Sequence, residues 1–344
     1  MLFCCAACGR DDRTPELSVF VRKPAVAVVI PTYNAGRFVS EAIESVRAQT
    51  TSHWECMIVD DGSTDETLSR LVAYRDSRIR WVGQENIGIH VARARGVSLT
   101  SAPKIVFLDA DDRLYPDTLT RYVSFLDQNV AAGVAYGERT LINEDGESFG
   151  LEWSAALNKH PQGDVLQTIL RRPFLSTLSQ ACLRREAVPP AEWLGNRGPM
   201  ADWLLLAGAA INNKFAYIGR APLVKYRVRR SSLMRSIASD PQSAADIREF
   251  NEVLDRLFSF PGLGSCFGAA ELAELRRAAE ASCLAIKGQE FLRHGEPGAA
   301  RRHFSAALRS GSRDHRDFLC WAATFAPALV RWSGPLFGVI DPHR

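Results

Sequence analysis

Apolar runs of strand length alternate with stretches of helical periodicity through the first two-thirds of the chain. Residues 25–30 (AVAVVI) are β-branched and apolar and end at Pro31, which predicts a strand covered on both faces. After an Asn34-Ala35-Gly36 turn, Phe38, Ala42, Ile43 and Val46 recur at helical spacing, so residues 37–48 should form a helix packed back on that strand. Residues 54–59 and 79–82 read as the second and third strands, and Ser63 with Glu66 is placed to form a capping box for the helix between them. A helix over 88–99, a fourth strand at 104–108 and a helix opened by Pro116 and running to Leu126 continue the pattern.

Strand-helix alternation with short connections predicts an α/β fold: an open, mostly parallel sheet with helices on both faces and ligands at the strand C-termini. Beyond residue 130 the alternation loosens into strands at 133–140, 178–184 and 215–227. From Ala244 onward the pattern turns helical, with Ile247, Phe250, Val253, Leu254 and Leu257 on one apolar face. The stretch 290–309 has the pattern of one tetratricopeptide-like hairpin, and a lone unit should pack on the main domain, since solenoids need about three repeats. The expected organisation is an irregular tail (1–24), an α/β domain (25–235) and a helical C-terminal appendage (236–344).

Composition narrows the function classes. A chain of 344 residues with 46% hydrophobic and 24% charged side chains can build a full core, and a net charge of +3 gives no reason to expect a nucleic-acid partner. The eight cysteines are scattered, as suits a reduced, cytoplasmic protein, and Cys5-Ala6-Ala7-Cys8 lacks the second ligand pair a zinc site needs. The N-terminal segment does not read as a secretory signal, and the most apolar C-terminal stretch, 318–340, is broken by Pro327, Arg331 and Pro335. No HExxH, Walker loop, GxSxG or GxGxxG motif occurs. The aromatics Phe318, Trp321, Phe325 and Trp332 recur near helical spacing; packing on the α/β domain is the first expectation, peripheral contact with the inner face of the membrane the second.

Chemistry concentrates where the strands end. Asp60-Asp61-Gly62-Ser63 closes the second strand and Asp109-Ala110-Asp111-Asp112 the fourth, which brings two acidic loops to one crevice. Three carboxylates in four residues repel one another unless donors or a cation neutralise them, and hard ions such as Mg²⁺ or Mn²⁺ favour carboxylate and phosphate oxygens. Taken alone, such a triplet is more often a helix cap or a solvated loop, and Asp202 taken alone is more often the N-cap of the apolar helix 203–210. The basic run Arg227, Arg229, Arg230 and Arg235 reads mostly as a solvated face, with only Arg227 and Arg229 near the crevice.

In this order the motifs resemble family 2 glycosyltransferases of the GT-A fold, over residues 25–235. Val28-Val29-Ile30-Pro31-Thr32-Tyr33-Asn34 is similar to the family's first strand and nucleotide-contacting turn, and Asp60-Asp61-Gly62-Ser63-Thr64-Asp65 to the loop whose acid meets the base. Asn86-Ile87-Gly88 with Ala92-Arg93 resembles the segment after the third strand, Asp109-Ala110-Asp111-Asp112 the metal loop, and Ala201-Asp202-Trp203 the motif of the catalytic base.

The resemblance implies a nucleotide-sugar site of Pro31, Thr32, Tyr33, Asn34, Asp61, Asn86, Gly88, Arg93, Asp109, Ala110, Asp111, Arg227 and Arg229. It implies a divalent metal, Mn²⁺ or Mg²⁺, at Asp111 and Asp112, and Asp202 as the base of an inverting displacement. The expected partners are a nucleotide-sugar donor, a UDP-sugar, and a glycan or lipid-linked acceptor in cell-surface polysaccharide or glycoconjugate synthesis. Two departures stand out: Arg93-Ala94 replaces the common Arg-Asn, and Arg229 occupies a position where many relatives have histidine. The rival readings are a sugar-phosphate nucleotidyltransferase, which would release pyrophosphate, and a non-catalytic sugar-nucleotide or glycan-binding protein, which would bind without turnover.

Overall fold

The computed structural model describes residues 23–151, 160–194, 200–229, 244–293 and 295–325. Its strands are β1 (Val26–Thr32), β2 (Trp54–Asp60), β3 (Ile79–Gly83), β4 (Lys104–Phe107), β5 (Arg113–Leu114), β6 (Ala132–Tyr136), β7 (Arg139–Ile142), β8 (Ser148–Leu151), β9 (Ala181–Arg184), β10 (Lys214–Tyr217) and β11 (Val224–Arg227). Seven form the main sheet in the order β10-β6-β9-β4-β1-β2-β3, and β5-β11-β7-β8 form a second, smaller one. In the main sheet every pairing is parallel except those of β9, which runs antiparallel to both β4 and β6.

β1 lies at the centre because both its faces are apolar. Ala27 and Val29 enter one core cluster, while Val26, Val28 and Ile30 enter another on the opposite face. At about 1.5–3 kcal/mol per fully buried aliphatic side chain, such a strand belongs inside the sheet. The chain goes from β1 to β2 and β3 on one side, then returns to place β4 on the other. The crevice between β1 and β4 is therefore a topological switch point, where open α/β sheets bind ligands. Helix Ile89–Ser98 packs against β1 at Gly96, where even a methyl group would come within 2.3 Å of Val29 Cγ1.

Several local expectations change. The run 133–140 splits into β6 and β7, and 215–227 into β10 and β11, with the halves in different sheets. The breaks fall at Gly137, where a Cβ would meet Leu223 at 2.5 Å, and at Gly219 (φ +121°), followed by Pro222. Residues 178–184 begin as a 3-10 turn, Leu178–Gln180, before β9. The Ser63–Glu66 capping box does not form: Ser63 Oγ bonds Asp60 and the Asn34 N–H, and Asp65 Oδ1 accepts the Thr67 N–H instead. The helix after Pro116 starts at Thr118.

The helical appendage is joined to the α/β part through helix Ala244–Phe258, whose Phe250, Val253, Leu254 and Leu257 enter the core with Leu205 and Phe215, and through a second, longer helix. Ala269–Arg293 contributes Leu275, Ala279 and Cys283 to the core shared with Ile169, Leu170 and Leu205, while Phe291 and Leu292 join a satellite cluster with Ala300, Phe304 and Cys320. With helix Pro297–Arg309 it forms a hairpin longer than the expected 290–309, since its first arm begins at Ala269 and only 290–293 of that stretch belong to it. Arg172 fixes the last described helix, His315–Ala323, donating to Asp317 at 2.8 Å and Asp314 at 3.2 Å. Packing does not cover the aromatics as first expected: Phe318 and Phe325 are 54% and 55% exposed, and Trp332 lies outside the described residues. Trp321 is partly buried and donates to Ser305.

Asp314 gives this contact a pH dependence. Burial pushes its carboxyl up, but the Arg316 hydrogen bond and the Arg172 charge prevail and hold it at about 2. A depressed carboxylate stabilises the fold above its unfolded value, about 3.9, and that contribution is lost as pH falls toward the folded value. In thermal melts, Asp314→Asn should lie below wild type at pH 7, with the gap closing between pH 4 and 2.

Candidate active site

The C-terminal ends of β1, β2, β3 and β4 carry the motifs in spatial order. β1 runs into Asn34, in the left-handed region at φ +48°, whose Oδ1 accepts the Thr64 N–H at 2.8 Å while its own N–H reaches Ser63 Oγ at 2.9 Å. Gly36 N–H adds a bond to Asp65 at 3.0 Å, and the Asp61 N–H returns to the Thr32 carbonyl at 2.8 Å. Pro31 and Thr32 are thus buried beneath the rim, with Thr32 Oγ1 lacking a partner, whereas Tyr33 is 52% exposed.

Asp61 organises the loop after β3. Its Oδ1 accepts from Gln84 Nε2 at 2.8 Å and Ile87 N at 3.1 Å, and its Oδ2 from Gly88 N at 2.9 Å. Gly88 adopts φ +109°, a conformation costly to side-chain-bearing residues, which turns its N–H to the carboxylate and starts the helix that carries Arg93. Asn86 lies in the same loop, its N–H under Gly62.

Arg93 joins the remaining motifs. Its guanidinium is 1% exposed and forks, Nη1 donating to Asp202 Oδ1 at 2.8 Å and Nη2 to Asp109 Oδ1 at 3.0 Å. Asp202 stands in the first turn of helix Ala201–Ala210, but its carboxylate does not cap that helix; Oδ2 accepts the Leu178 N–H at 2.9 Å. Asp109 also accepts from Thr177 Oγ1 at 2.9 Å, and its N–H donates to Ser179 Oγ at 3.1 Å.

The rest of the acidic loop faces the small sheet. Asp112 is 1% exposed and its Oδ1 receives the Arg227 N–H at 2.9 Å, while Oδ2 is buried without a hydrogen bond of normal length. Arg227 is enclosed, donating to the Asp111, Asn143 and Glu144 carbonyls and to Glu41 Oε2, and it holds the loop together from within. Arg229 is 29% exposed and pairs through Nε with Asp111 Oδ2 at 2.6 Å. Arg230 and Arg235 lie outside the described residues.

Residues 27–188 match the family model described as glycosyl transferase family 2. These residues form a family 2 glycosyltransferase domain. The chain is 36% identical over 127 residues to a putative teichuronic acid biosynthesis glycosyltransferase of Bacillus subtilis, covering 36% of this chain and 50% of that protein. It is 32% identical over 148 residues to a chondroitin synthase of Escherichia coli, covering 42% of this chain and 22% of that one. The chain spans about half the length, or less, of the curated relatives it matches. Its fold is like that of S. aureus TarS 1–349, crystallised with UDP-GlcNAc, with a TM-score of 0.54 at 16% identity over 90% of this chain and 92% of that one. The likeness extends beyond the family 2 domain into the C-terminal helices.

Within the family 2 domain, the donor set of the acidic loop fits a divalent cation in part. Burial, followed by the neighbouring Asp202 charge at Asp109 and by the Asp111 and Asp109 charges at Asp112, pushes these carboxyls above the usual range; Asp111 is raised by burial despite Arg229. Crowded carboxylates of this kind are what a cation relieves. Among the described residues no group of three or more His, Cys, Asp or Glu side chains is arranged to hold a metal by itself. Mg²⁺-type sites commonly use one or two carboxylates completed by substrate phosphates and water, so the set is compatible with metal bound together with a diphosphate.

Thr177, Ser179 and the Leu178 N–H went unrecognised in the sequence because no motif marks them. The Leu178–Gln180 turn brings them under Asp109 and Asp202, and its small hydroxyl residues were the available signal.

Proposed function

We propose that the protein is an inverting glycosyltransferase moving a sugar from a nucleotide-diphosphate donor to an acceptor hydroxyl, in synthesis of a cell-surface polysaccharide or glycoconjugate. The Arg93 fork carries this reading: it holds the acidic loop and Asp202 together beside the nucleotide motifs at the switch point. The names of the B. subtilis and E. coli relatives support polymer synthesis, and the UDP-GlcNAc bound to TarS supports a UDP-sugar as donor class.

The acceptor oxygen forms its bond to the anomeric carbon as the bond to the diphosphate breaks, its electron pair leaving with the phosphate oxygen; one displacement inverts the centre. Asp202 takes the hydroxyl proton. Each of its oxygens accepts one protein donor, which fixes the carboxylate's direction and leaves lone pairs for the acceptor. A divalent cation held through Asp111, with Asp112 behind it, would supply positive charge to the leaving diphosphate. Asn34, Asp61, Asn86 and Gly88 form the nucleoside end, where Asp61 offers acceptor oxygens already oriented by the loop amides.

A thermal-shift panel of nucleotide sugars tests this, since a ligand at about 100 times its Kd stabilises the folded state by about 2.7 kcal/mol. One UDP-sugar should raise the melting temperature with Mn²⁺ present and release UDP when acceptor is added; a panel with no stabilising nucleotide sugar would sink the reading.

The cytoplasmic setting rests on the scattered cysteines, and peripheral contact at the inner membrane face on the exposed Phe318, Leu319 and Phe325. No helix among the described residues is long and apolar enough to cross a membrane. The chain should float with anionic liposomes, and Phe318→Ser/Phe325→Ser should not; equal flotation of both would exclude this surface.

A further inference from the structure

Asp111 is the carboxylate that the proposed function asks to meet metal and diphosphate, and in the structure a guanidinium already holds it. Arg229 Nε lies 2.6 Å from Asp111 Oδ2. Two residues earlier, Arg227 has its side chain fully enclosed, its N–H on Asp112 and its guanidinium on three carbonyls and Glu41, so it anchors the segment and cannot leave. Arg229 differs. It is 29% exposed, and its guanidinium stands 5.7 Å from the Phe38 ring, on the helix side of the crevice. Both guanidinium groups lie over the Phe38 ring, so exposure is what separates them: one arginine is built into the wall, and the next is a partly exposed positive charge paired with Asp111.

A guanidinium fork suits phosphate oxygens as well as it suits carboxylate. We propose that Arg229 is an internal counter-cation of the acidic loop: it occupies Asp111 while the donor is absent and transfers to the diphosphate when nucleotide and divalent cation arrive together. This rests on the functional reading above. A bare cation has to displace Arg229 from Asp111 with nothing to receive the guanidinium. With a nucleoside diphosphate present, the guanidinium exchanges carboxylate for phosphate and no ion pair is lost. Metal and nucleotide then bind with positive coupling, and linkage makes the effect reciprocal. Arg229 in this sense couples metal binding to nucleotide binding.

Calorimetric titration of Mn²⁺ into the full chain, with and without saturating UDP, tests the assignment on wild type, Arg229→Gln and Arg229→Lys, with Asp111→Asn marking the loop as the binding place. Arg229→Gln should bind bare Mn²⁺ at least about fivefold tighter than wild type, and the factor by which UDP strengthens Mn²⁺ binding should fall by about the same factor from a wild-type value of about 5–150 typical of coupled sites, leaving the part that phosphate ligation of the metal supplies by itself. Arg229→Lys, which keeps the charge, should lie between them. Bare Mn²⁺ affinity in Arg229→Gln that is equal to or weaker than wild type overturns the proposal, as does bare Mn²⁺ binding that Asp111→Asn leaves intact. Absence of UDP binding in every variant would count against the glycosyltransferase reading, while the bare-metal comparison would still decide the role of Arg229.

Discussion

Asp202→Asn should lower the transfer rate by about 10²–10⁴-fold, the usual contribution of a positioned general base, while donor binding changes little. Asparagine keeps the shape of the side chain but has one acceptor oxygen where aspartate has two. In the wild type both oxygens are engaged, one by Arg93 Nη1 at 2.8 Å and the other by the Leu178 N–H at 2.9 Å. The variant keeps one of these contacts and sets an amide N–H₂ against a donor at the other. The amide is also a far weaker base, so the acceptor proton has no recipient. Donor binding should persist because the nucleoside end is built from β1, β2 and β3. Steady-state transfer kinetics combined with donor thermal shift check the split; unimpaired transfer from a correctly folded variant would remove Asp202 from the reaction.

Arg93→Met should cost the fold about 3–5 kcal/mol, the range seen when one partner of a buried ion pair is removed. Methionine nearly fills the space but leaves Asp109 and Asp202 facing each other without the cation between them. Each 1 kcal/mol lowers the melting temperature by about 2–4 °C in a domain of 150–250 residues, so the shift is well within reach of a melt. Arg93→Lys should recover only part of the loss, since one ammonium cannot match two forked bonds of 2.8 and 3.0 Å. The buried Nε of Arg93, which has no hydrogen-bond partner, shows that this fork is already held at some cost. A loss below about 1 kcal/mol in denaturant melts would mean that the two carboxylates relax apart or take up protons cheaply.

The larger elements were legible because burial leaves a local record. A strand covered on both faces must be apolar at every position, as 25–30 is, and a helix against a sheet repeats its apolar residues as Phe38, Ala42, Ile43 and Val46 do. Motifs at strand ends followed from that alternation, since parallel strands bring their C-termini to one edge. Where the record is weaker, tertiary packing decided. Residues 133–140 and 215–227 have continuous strand character, yet close approach at Gly137 and the turn at Gly219 send their halves to different sheets. Ser63 has capping chemistry, but Asn34 and Asp60 compete for its hydroxyl and win.

The sequence alone determined the α/β alternation, the edge at which chemistry gathers and the residue types present there. Which charge meets which emerged with the folded arrangement of the elements. Arg93 and Asp202 are 109 residues apart, and Arg227 reaches Glu41 across 186. Of two arginines read as equivalent nucleotide contacts, one became a buried clamp and the other a partly exposed partner of Asp111. Periodicity reports which face of an element is covered, because each residue's burial leaves its mark locally. Ion pairs between distant segments leave no such mark, since their geometry exists only once the sheet has twisted and the helices have closed over it.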